Sequence, residues 1–431
     1  MMKRNLSSMM LIVLLPLLAC SASKNLENAI ETEPVSQFEI LAIDSPKEVI
    51  TIPQYDSVQL KNEYRVALLL PFQTDKIKLD SLGNPEGIPS SSRMAIEFYE
   101  GVRLALDSLQ QEGINLKLFV YDTEGDTNHL KVILTDPELK LADLIIGPVY
   151  NSELSIASKF ALQNKIYMVS PLSSTTSMIA GNPYFISANA SIKSHCESMF
   201  DYMTQKYQPK KIFFLYRDID NEKNIESYFE EFEKQYESDT KTNIQFVRLT
   251  DSISKSYSNL LNTFSPTEEN IIIVPSYSET YVYSITKTLN ALATQRKIIL
   301  FGMPTWKDFE SLQLGWMDTL HAHITSTNWY QKSDSSALKL MSDFESKYEI
   351  KPTDYSMQGY DVMQFFGEEF LNYGINVTMN IQRKMYQTLN NRFRFEPVLK
   401  SNDISIEYFE NKYVFILNFW NGDIKVLNRQ F

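Results

Sequence analysis

Short apolar runs alternate with segments of helical periodicity along most of the chain. The first run, Val66–Leu70, is continuously apolar and ends at Pro71, which is typical of a strand buried on both faces. The next segment, from Phe98 to Leu109, places apolar residues at the spacing of an amphipathic helix, and Gly113 ends it. The pattern predicts a parallel strand followed by a helix that covers it.

The same alternation continues and then starts again. The further predicted strands are Leu116–Tyr121, Ala142–Ile146 and Ile166–Val169 in a first set, and Ile212–Tyr216, Ile244–Leu249, Ile271–Val274, Ile298–Phe301 and His321–Thr325 in a second set. Continuous apolar strands with helices between them indicate a parallel sheet that is covered on both faces. We therefore predict an α/β fold with two Rossmann-like, doubly wound parallel sheets of similar size.

The last hundred residues contain further helical and strand-like segments, which we do not interpret as a third domain. Helical periodicity marks Ala337–Tyr348 and Tyr360–Phe370. Three strand-like segments follow: Ile404–Tyr408, Tyr413–Phe419 and Ile424–Leu427. Asn421-Gly422 joins the last two and is a strong hairpin signal. We expect these elements to complete the two lobes.

The N-terminus has the pattern of an export signal. Lys3 and Arg4 precede the apolar run Met9–Ala19, and Cys20 follows. A run of eleven residues is too short to span a bilayer, which takes about 20, but it fits a signal-peptide core. Residues 21–63 show no sustained helical period, apart from a possible short strand at Glu48–Ile52, and we interpret them as a tether.

Composition and charge exclude several functions. The chain of 431 residues has 41 basic and 53 acidic residues, and this acidic balance argues against a nucleic-acid partner, which needs a basic face. Neither a Gly-x-Ser-x-Gly elbow nor a phosphate-binding loop is present. His321 and His323 form the one histidine pair, without an evident third metal ligand. Cys196 fits a small buried residue. We expect no catalysis, no cofactor and no metal.

Several motifs of the first lobe resemble type I periplasmic binding proteins, the group that includes the leucine/isoleucine/valine-binding proteins. The matching segments are Val66–Pro71, Glu100–Ala105, Tyr121–Asp126, Ile145–Pro148 and Met168–Ser174. In addition, Leu17–Cys20 resembles the box of bacterial lipoproteins, in which the signal is removed and the cysteine carries lipid. The resemblance implies a lipoprotein attached to a membrane through Cys20. Ser21 follows the cysteine in place of a retaining aspartate, which favours the outer membrane, facing the periplasm.

The resemblance also implies the domain organisation. Residues 1–19 are the signal peptide and residues 20–63 the lipidated tether. Lobe 1 would comprise residues 64–190 and 330–375, and lobe 2 residues 191–329 and 376–431. Three crossovers would join the lobes near Ile186–Ala190, Ser326–Tyr330 and Tyr373–Thr378.

Candidate ligand contacts follow from the strand ends. Open parallel sheets bind ligands outside the carboxyl ends of their strands, where helix N-termini favour anions. Asn151 and Ser152 follow one such end, and Ser173, Ser174 and Thr175 follow another. The resemblance assigns contact with a ligand carboxylate to Asn151 or Ser152, to the backbone of Leu172 and to Ser174, and contact with an ammonium group to Glu279. The alternative roles are helix capping for the hydroxyls and a first-turn acid for Glu279.

Two functions stay open. One is a binding protein that holds a small polar solute, such as an amino acid or a peptide, and delivers it to an ABC transporter. The other is a protein-interaction module, similar to the lipoprotein activators of cell-wall enzymes. Two features favour the second function. The loop Phe72–Ser92 is long and is expected to fill or cover the cleft, and the turn Tyr216–Asp220 differs from the tyrosine-glycine-acid-glycine turn that the resemblance leads us to expect.

Overall fold

The structure is a computed structural model, and it describes residues 60–83, 85–174, 179, 181–240, 242–250, 256–330, 334–375, 385–388, 390–400 and 405–427, with the side chains of 236–240 excepted. The predicted signal peptide, Cys20, the strand at Glu48–Ile52, most of the tether and Thr175 lie outside the described residues. No described helix is long and apolar enough to cross a membrane.

In chain order the strands are β1 (Tyr64–Leu70), β2 (Leu116–Asp122), β3 (Leu144–Ile146), β4 (Tyr167–Ser170), β5 (Phe185–Ser187), β6 (Lys211–Arg217), β7 (Asn243–Leu249), β8 (Glu269–Ile273), β9 (Lys297–Phe301), β10 (His323–Ser326), β11 (Tyr386–Gln387), β12 (Arg392–Phe393), β13 (Phe395–Leu399), β14 (Ile406–Asn411), β15 (Phe415–Trp420) and β16 (Asp423–Val426). The helices are α1 (Arg93–Gln111), α2 (Thr127–Ile133), α3 (Asn151–Asn164), α4 (Ile192–Tyr207), α5 (Asp220–Thr240), α6 (Tyr257–Thr263), α7 (Glu279–Leu292), α8 (Leu314–Thr319), α9 (Ser335–Tyr348) and α10 (Asp354–Tyr373).

Two seven-stranded sheets organise these elements, which confirms the predicted fold. The lobe 1 sheet has the order β13-β14-β5-β4-β3-β1-β2, and the lobe 2 sheet has the order β16-β15-β10-β9-β8-β6-β7. In each, the first strand pairs in parallel with the two strands that follow it in sequence. The second and third strands of each lobe therefore lie on opposite sides of the first strand. This reversal of strand order creates the switch point at which open α/β sheets bind ligands. The sheets are mixed rather than purely parallel, because β13–β14, β10–β15 and β15–β16 are antiparallel pairs.

Helix α10 belongs to lobe 1 because two glycines let it approach α1 closely. A Cβ on Gly101 of α1 would lie 1.8 Å from the carbonyl oxygen of Ser356, and a Cβ on Gly359 of α10 would lie 2.1 Å from that of Phe98. A side chain at either position would therefore force the helices apart. This packing fixes the start of α10 beside the carboxyl ends of the lobe 1 strands.

The predicted assignment of residues 376–431 to lobe 2 is wrong for β13 and β14. Strand β14 pairs in parallel with β5, the edge of the lobe 1 sheet, and Phe395 and Phe409 are buried in the lobe 1 core beside Phe365 and Phe366 of α10. The chain crosses between lobes after Ser187, after Ser326 and after Asn411. The third crossover is therefore not at Tyr373–Thr378, because two further strands must first complete lobe 1.

Candidate functional site

A cavity of about 560 Å³, the first cavity, lies at the carboxyl edge of the lobe 1 sheet. It is formed by the loops after β3 and β4, the start of α10 and two crossovers. Its lining residues are Met94, Val149, Tyr150, Asn151, Leu172, Ser173, Ser174, Asn189, Thr327, Asn328, Asp354, Tyr355 and Gln358. Hydroxyl and amide groups dominate its polar surface, and such groups suit a polar ligand.

The turn after β3 places Asn151 at the cavity. Gly147 has φ of 94°, and a Cβ there would lie 2.1 Å from the carbonyl oxygen of Leu69, so the sharp turn requires glycine. Helix α3 then begins at Asn151, which brings the positive end of its dipole to the cavity. The Ser173 hydroxyl donates a hydrogen bond of 2.6 Å to Oδ1 of Asn151 and joins the two loops.

Amide side chains from distant segments hold the loop after β4. Nδ2 of Asn189 donates to the carbonyl of Leu172 at 2.6 Å, and Nε2 of Gln358 donates to the carbonyl of Pro171 at 3.0 Å. Gln358 in turn accepts from Nδ2 of Asn391 at 2.9 Å. These bonds tie the cavity wall to the first crossover and to α10.

Four of the predicted ligand contacts come together, two do not, and one is outside the described residues. Asn151, Leu172, Ser173 and Ser174 line the cavity. Ser152 is exposed on α3 and is not among the lining residues, and Thr175 lies outside the described residues.

Glu279 has a structural partner away from this cavity. It is the first residue of α7 and accepts a 2.7 Å hydrogen bond from the backbone N–H of Ser311. That bond lowers the pKa of Glu279. The carboxylate therefore acts in the described structure as a first-turn helix acid that holds the 310–311 loop, the alternative that the sequence left open.

Sequence reasoning missed Met94, Asn189, Thr327, Asn328, Asp354, Tyr355 and Gln358, which also line the cavity. Asn189 falls within the first predicted crossover, and Thr327 and Asn328 fall within the second, so crossover position was an available signal. Gln358 and Tyr355 carry no such signal, because only the packing of α10 on α1 brings them here.

Part of the corresponding edge of lobe 2 is occupied by its own side chains. Arg217, at the end of β6, bonds Glu222 through Nη2 at 2.6 Å and lies 3.9 Å from the ring centre of Tyr281. The indole of Trp306 is buried and donates to the carbonyl of Ser276 at 2.8 Å. The altered turn Tyr216–Asp220 thus supplies an internal ion pair at this edge.

The loop Phe72–Ser92 does not cover the first cavity, contrary to expectation. Asp122 holds its base by accepting hydrogen bonds from the backbone N–H groups of Gln73 and Thr74. Farther out it forms a small hairpin, closed by a bridge between Leu79 and Pro85, whose tip residue Leu82 is 84% exposed. The hairpin therefore projects into solvent.

Two polar contacts join the lobes beside the cavity. Nζ of Lys307 from lobe 2 lies 3.0 Å from Oδ2 of Asp354 on α10, and it also donates to Oδ1 of Asn328 at 3.2 Å.

Next to the third crossover, the buried carboxylate of Glu410 in β14 accepts hydrogen bonds from the backbone N–H of Ser191 and from Nζ of Lys412. Burial opposes ionisation of Glu410, but Lys412 and Ser191 outweigh it and lower its pKa.

A buried acid lies behind the cavity wall. Glu153, in the first turn of α3, is completely buried. Burial raises the pKa of Glu153 to about 7, the nearby Thr123 hydroxyl partly opposes this, and Asp126 and Asp122 add to it. Its ionisation near neutral pH places a charge beneath the turn that carries Asn151.

A second cavity of about 730 Å³ adjoins the first, and Ser174 lines both. Its other lining residues come from α4, α5, the loop after β8 and the antiparallel strands β13 and β14, with their flanking residues: Ser191, Ile192, Lys193, Glu197, Asn221, Asn224, Ile225, Tyr228, Tyr277, Val398, Tyr408, Glu410 and Lys412.

Within the described ranges, no group of three or more His, Cys, Asp or Glu residues is placed to hold a metal ion.

The profile of the periplasmic binding protein family matches residues 89–370. The chain belongs to the periplasmic binding protein family. No curated protein matches the chain, so the remaining comparisons are with solved structures, which at these identities show the fold.

Three solved structures illustrate the fold. An ABC transporter substrate-binding protein from Desulfitobacterium hafniense, in complex with Leu, has a TM-score of 0.55 at 15% identity and covers 85% of this chain and 100% of its own. A branched-chain amino acid ABC transporter periplasmic ligand-binding protein from Burkholderia xenovorans LB400 has a TM-score of 0.59 at 13% identity, with coverages of 85% and 94%. Full-length LpoA from Haemophilus influenzae has a TM-score of 0.53 at 11% identity, and the match covers 86% of this chain and 60% of LpoA.

Proposed function

We propose that this protein is a lipid-anchored, extracytoplasmic binding protein that holds a small polar solute in the first cavity, without catalysing a reaction on it. The observation that carries the proposal is the meeting of Asn151, Ser173 and Ser174 around one cavity at the switch-point edge of lobe 1. The family and the ligands named for the similar structures, leucine among them, support an amino-acid-like solute.

The electrostatics of this edge favour a ligand carboxylate near Asn151. The fourteen-residue helix α3 begins there, and a helix N-terminus attracts anions. The hydroxyl group of Ser174 adds a donor at the same place, whereas the Ser173 hydroxyl donates to Asn151 and orients that side chain. In the first cavity, lobe 1 would supply most contacts, because Arg217 and Trp306 occupy part of the facing edge of lobe 2.

A thermal-shift screen of the folded domain, residues 60–431, tests this function against the twenty amino acids and their amides. A ligand bound only by the native state stabilises it by about 2.7 kcal/mol at a hundredfold excess over Kd. The expected result is a concentration-dependent rise in Tm with at least one amino acid, reduced in Ser173→Ala and kept in Ser342→Ala, an exposed serine of α9. A flat response across the whole screen would contradict solute binding.

A second candidate is a lipoprotein that acts by protein–protein interaction, such as a regulator of cell-wall synthesis. Two observations favour it: side chains occupy part of the lobe 2 edge, and three apolar residues of one loop, Leu79, Leu82 and Ile88, are exposed. Exposed apolar clusters often mark interaction sites. A photo-crosslinking residue at Leu82 would trap a partner in cells, whereas one at Ser342 would not. Absence of a Leu82-specific adduct would contradict this candidate.

A further inference from the structure

The cleft is larger than a single amino acid requires. The first cavity, at about 560 Å³, already has the size of a site for a drug-sized ligand. The second cavity adds a compartment of about 730 Å³. Ser174 lines both, so the two compartments meet at its side chain.

We propose that the cleft binds a short peptide in extended conformation, which passes Ser174 and occupies both cavities. The inference rests on the proposed solute-binding function and names its ligand class. Spheres of these volumes would be about 10 and 11 Å across, and an extended chain advances about 3.3–3.6 Å per residue. The two compartments together therefore accommodate about six residues.

The lining chemistry matches a peptide backbone. Side-chain amides occur in both compartments: Asn151, Asn189, Asn328 and Gln358 in the first, and Asn221 and Asn224 in the second. An amide both donates and accepts hydrogen bonds, as each peptide group does.

Charges of both signs occur at both compartments. The first has the Lys307–Asp354 pair at its edge. The second contains Lys412 with Glu410, and also Lys193 and Glu197. Charges of both signs suit the ammonium and carboxylate termini of a zwitterionic chain.

Calorimetric titration with alanine and its linear oligomers, from dialanine to hexaalanine, tests the inference on the folded domain. About three extended residues fill the first compartment, so a ligand confined to it gains nothing beyond trialanine. We expect hexaalanine to bind at least tenfold more tightly than trialanine. Equal affinity for trialanine and hexaalanine, or no binding of any oligomer, would overturn the peptide. The solute function is overturned separately, by a flat response to all twenty amino acids in the thermal-shift screen.

Two bulky substitutions locate the path. Ser174→Trp narrows the junction, and Asn224→Trp fills the second compartment from α5. In each variant the affinity for hexaalanine should fall to within threefold of that variant's own affinity for trialanine. Ser342→Trp, on the exposed face of α9, should keep the wild-type ratio, and circular dichroism should show all three variants folded. A wild-type ratio in folded Ser174→Trp and Asn224→Trp would overturn the proposed path.

Discussion

Lys307 of lobe 2 forms an ion pair with Asp354 of lobe 1, with Nζ 3.0 Å from Oδ2, directly beside the first cavity. Lys307 is 25% exposed at its side chain and Asp354 is 59% exposed. Solvent therefore screens the pair. It contributes little to the free energy of unfolding and acts mainly by holding the two lobes in their relative position.

A double-mutant cycle measures this pair. Lys307→Met and Asp354→Asn should each change the free energy of unfolding by less than about 1 kcal/mol, with a coupling of about 0.2–1 kcal/mol, as for partly exposed ion pairs. Urea unfolding of the four proteins gives the coupling. A coupling above about 2 kcal/mol would mean that the pair is effectively buried in solution.

Ser174→Ala separates ligand contact from a capping role. A hydrogen bond to a charged group contributes about 1.5–3 kcal/mol, so loss of a contact with a ligand carboxylate should weaken binding roughly tenfold or more. If Ser174 only caps a helix, about 1 kcal/mol of fold stability should be lost instead. Calorimetric titration and urea unfolding of the same variant distinguish these. Unchanged affinity with lower stability would remove Ser174 from the binding site.

Glu410→Ala should be strongly destabilising. The carboxylate is 1% exposed and accepts hydrogen bonds from Ser191, Ser194 and Lys412. Removing one member of a buried charged network typically costs about 3–5 kcal/mol. Chemical denaturation should show a loss of at least about 2 kcal/mol, whereas Glu396→Ala, at a half-exposed carboxylate on the neighbouring strand, should lose less than about 0.5 kcal/mol.

The same carboxylate predicts an acid-side loss of stability. Because the pKa of Glu410 is lowered in the folded state, its stabilisation is present above the unfolded pKa, near 4.3, and is lost as pH falls through the folded pKa. The wild type should therefore lose more stability than Glu410→Gln between pH 5 and pH 3. Parallel pH dependence of the two proteins would contradict the lowered pKa.

The buried carboxyl group of Glu153 predicts the opposite pH dependence: the folded state should become less stable as the pH rises toward neutrality. Its pKa is raised to about 7 in the folded state, so the folded protein binds a proton that the unfolded chain has released. Stability should fall as pH rises from about 4.3 to 7 and stay low above that. Glu153→Gln should remove about 1–3 kcal/mol of this dependence. Urea unfolding at pH 5 and pH 8 checks it, and an unchanged slope in Glu153→Gln would assign the effect to another group.

Cys20→Ala should abolish membrane attachment and leave the fold intact. The apolar run before Cys20 is too short to span a bilayer, and lipid on the cysteine would be the anchor. Fractionation of cells expressing each protein, followed by a high-salt wash, provides the measurement. Cys20→Ala protein that stays in the washed membrane pellet would contradict the lipoprotein interpretation.

The sequence determined the element types and the two-lobed plan. The unbroken apolar run of Val66–Leu70 and the periodic face of α1 are local consequences of burial on two faces or on one, so they could be predicted from residue order alone. The polar groups after β3 and β4 could be predicted too, since parallel strands end at a common edge. This is why Asn151, Ser173 and Ser174 could be predicted from the strand ends, whereas Leu172 followed only from the family resemblance.

Only the tertiary structure decided what meets them there. Strand β5 is three residues long and has no period to detect, and β14 joins lobe 1 because its parallel partner is β5 and its phenylalanine packs beside α10. Gln358 reaches the cavity because glycines let α10 settle on α1. Arg217 turns inward to Glu222 and Tyr281 instead of facing a ligand. Each of these outcomes depends on contacts between residues far apart in sequence, whose energies come from shape and burial that local patterns do not encode.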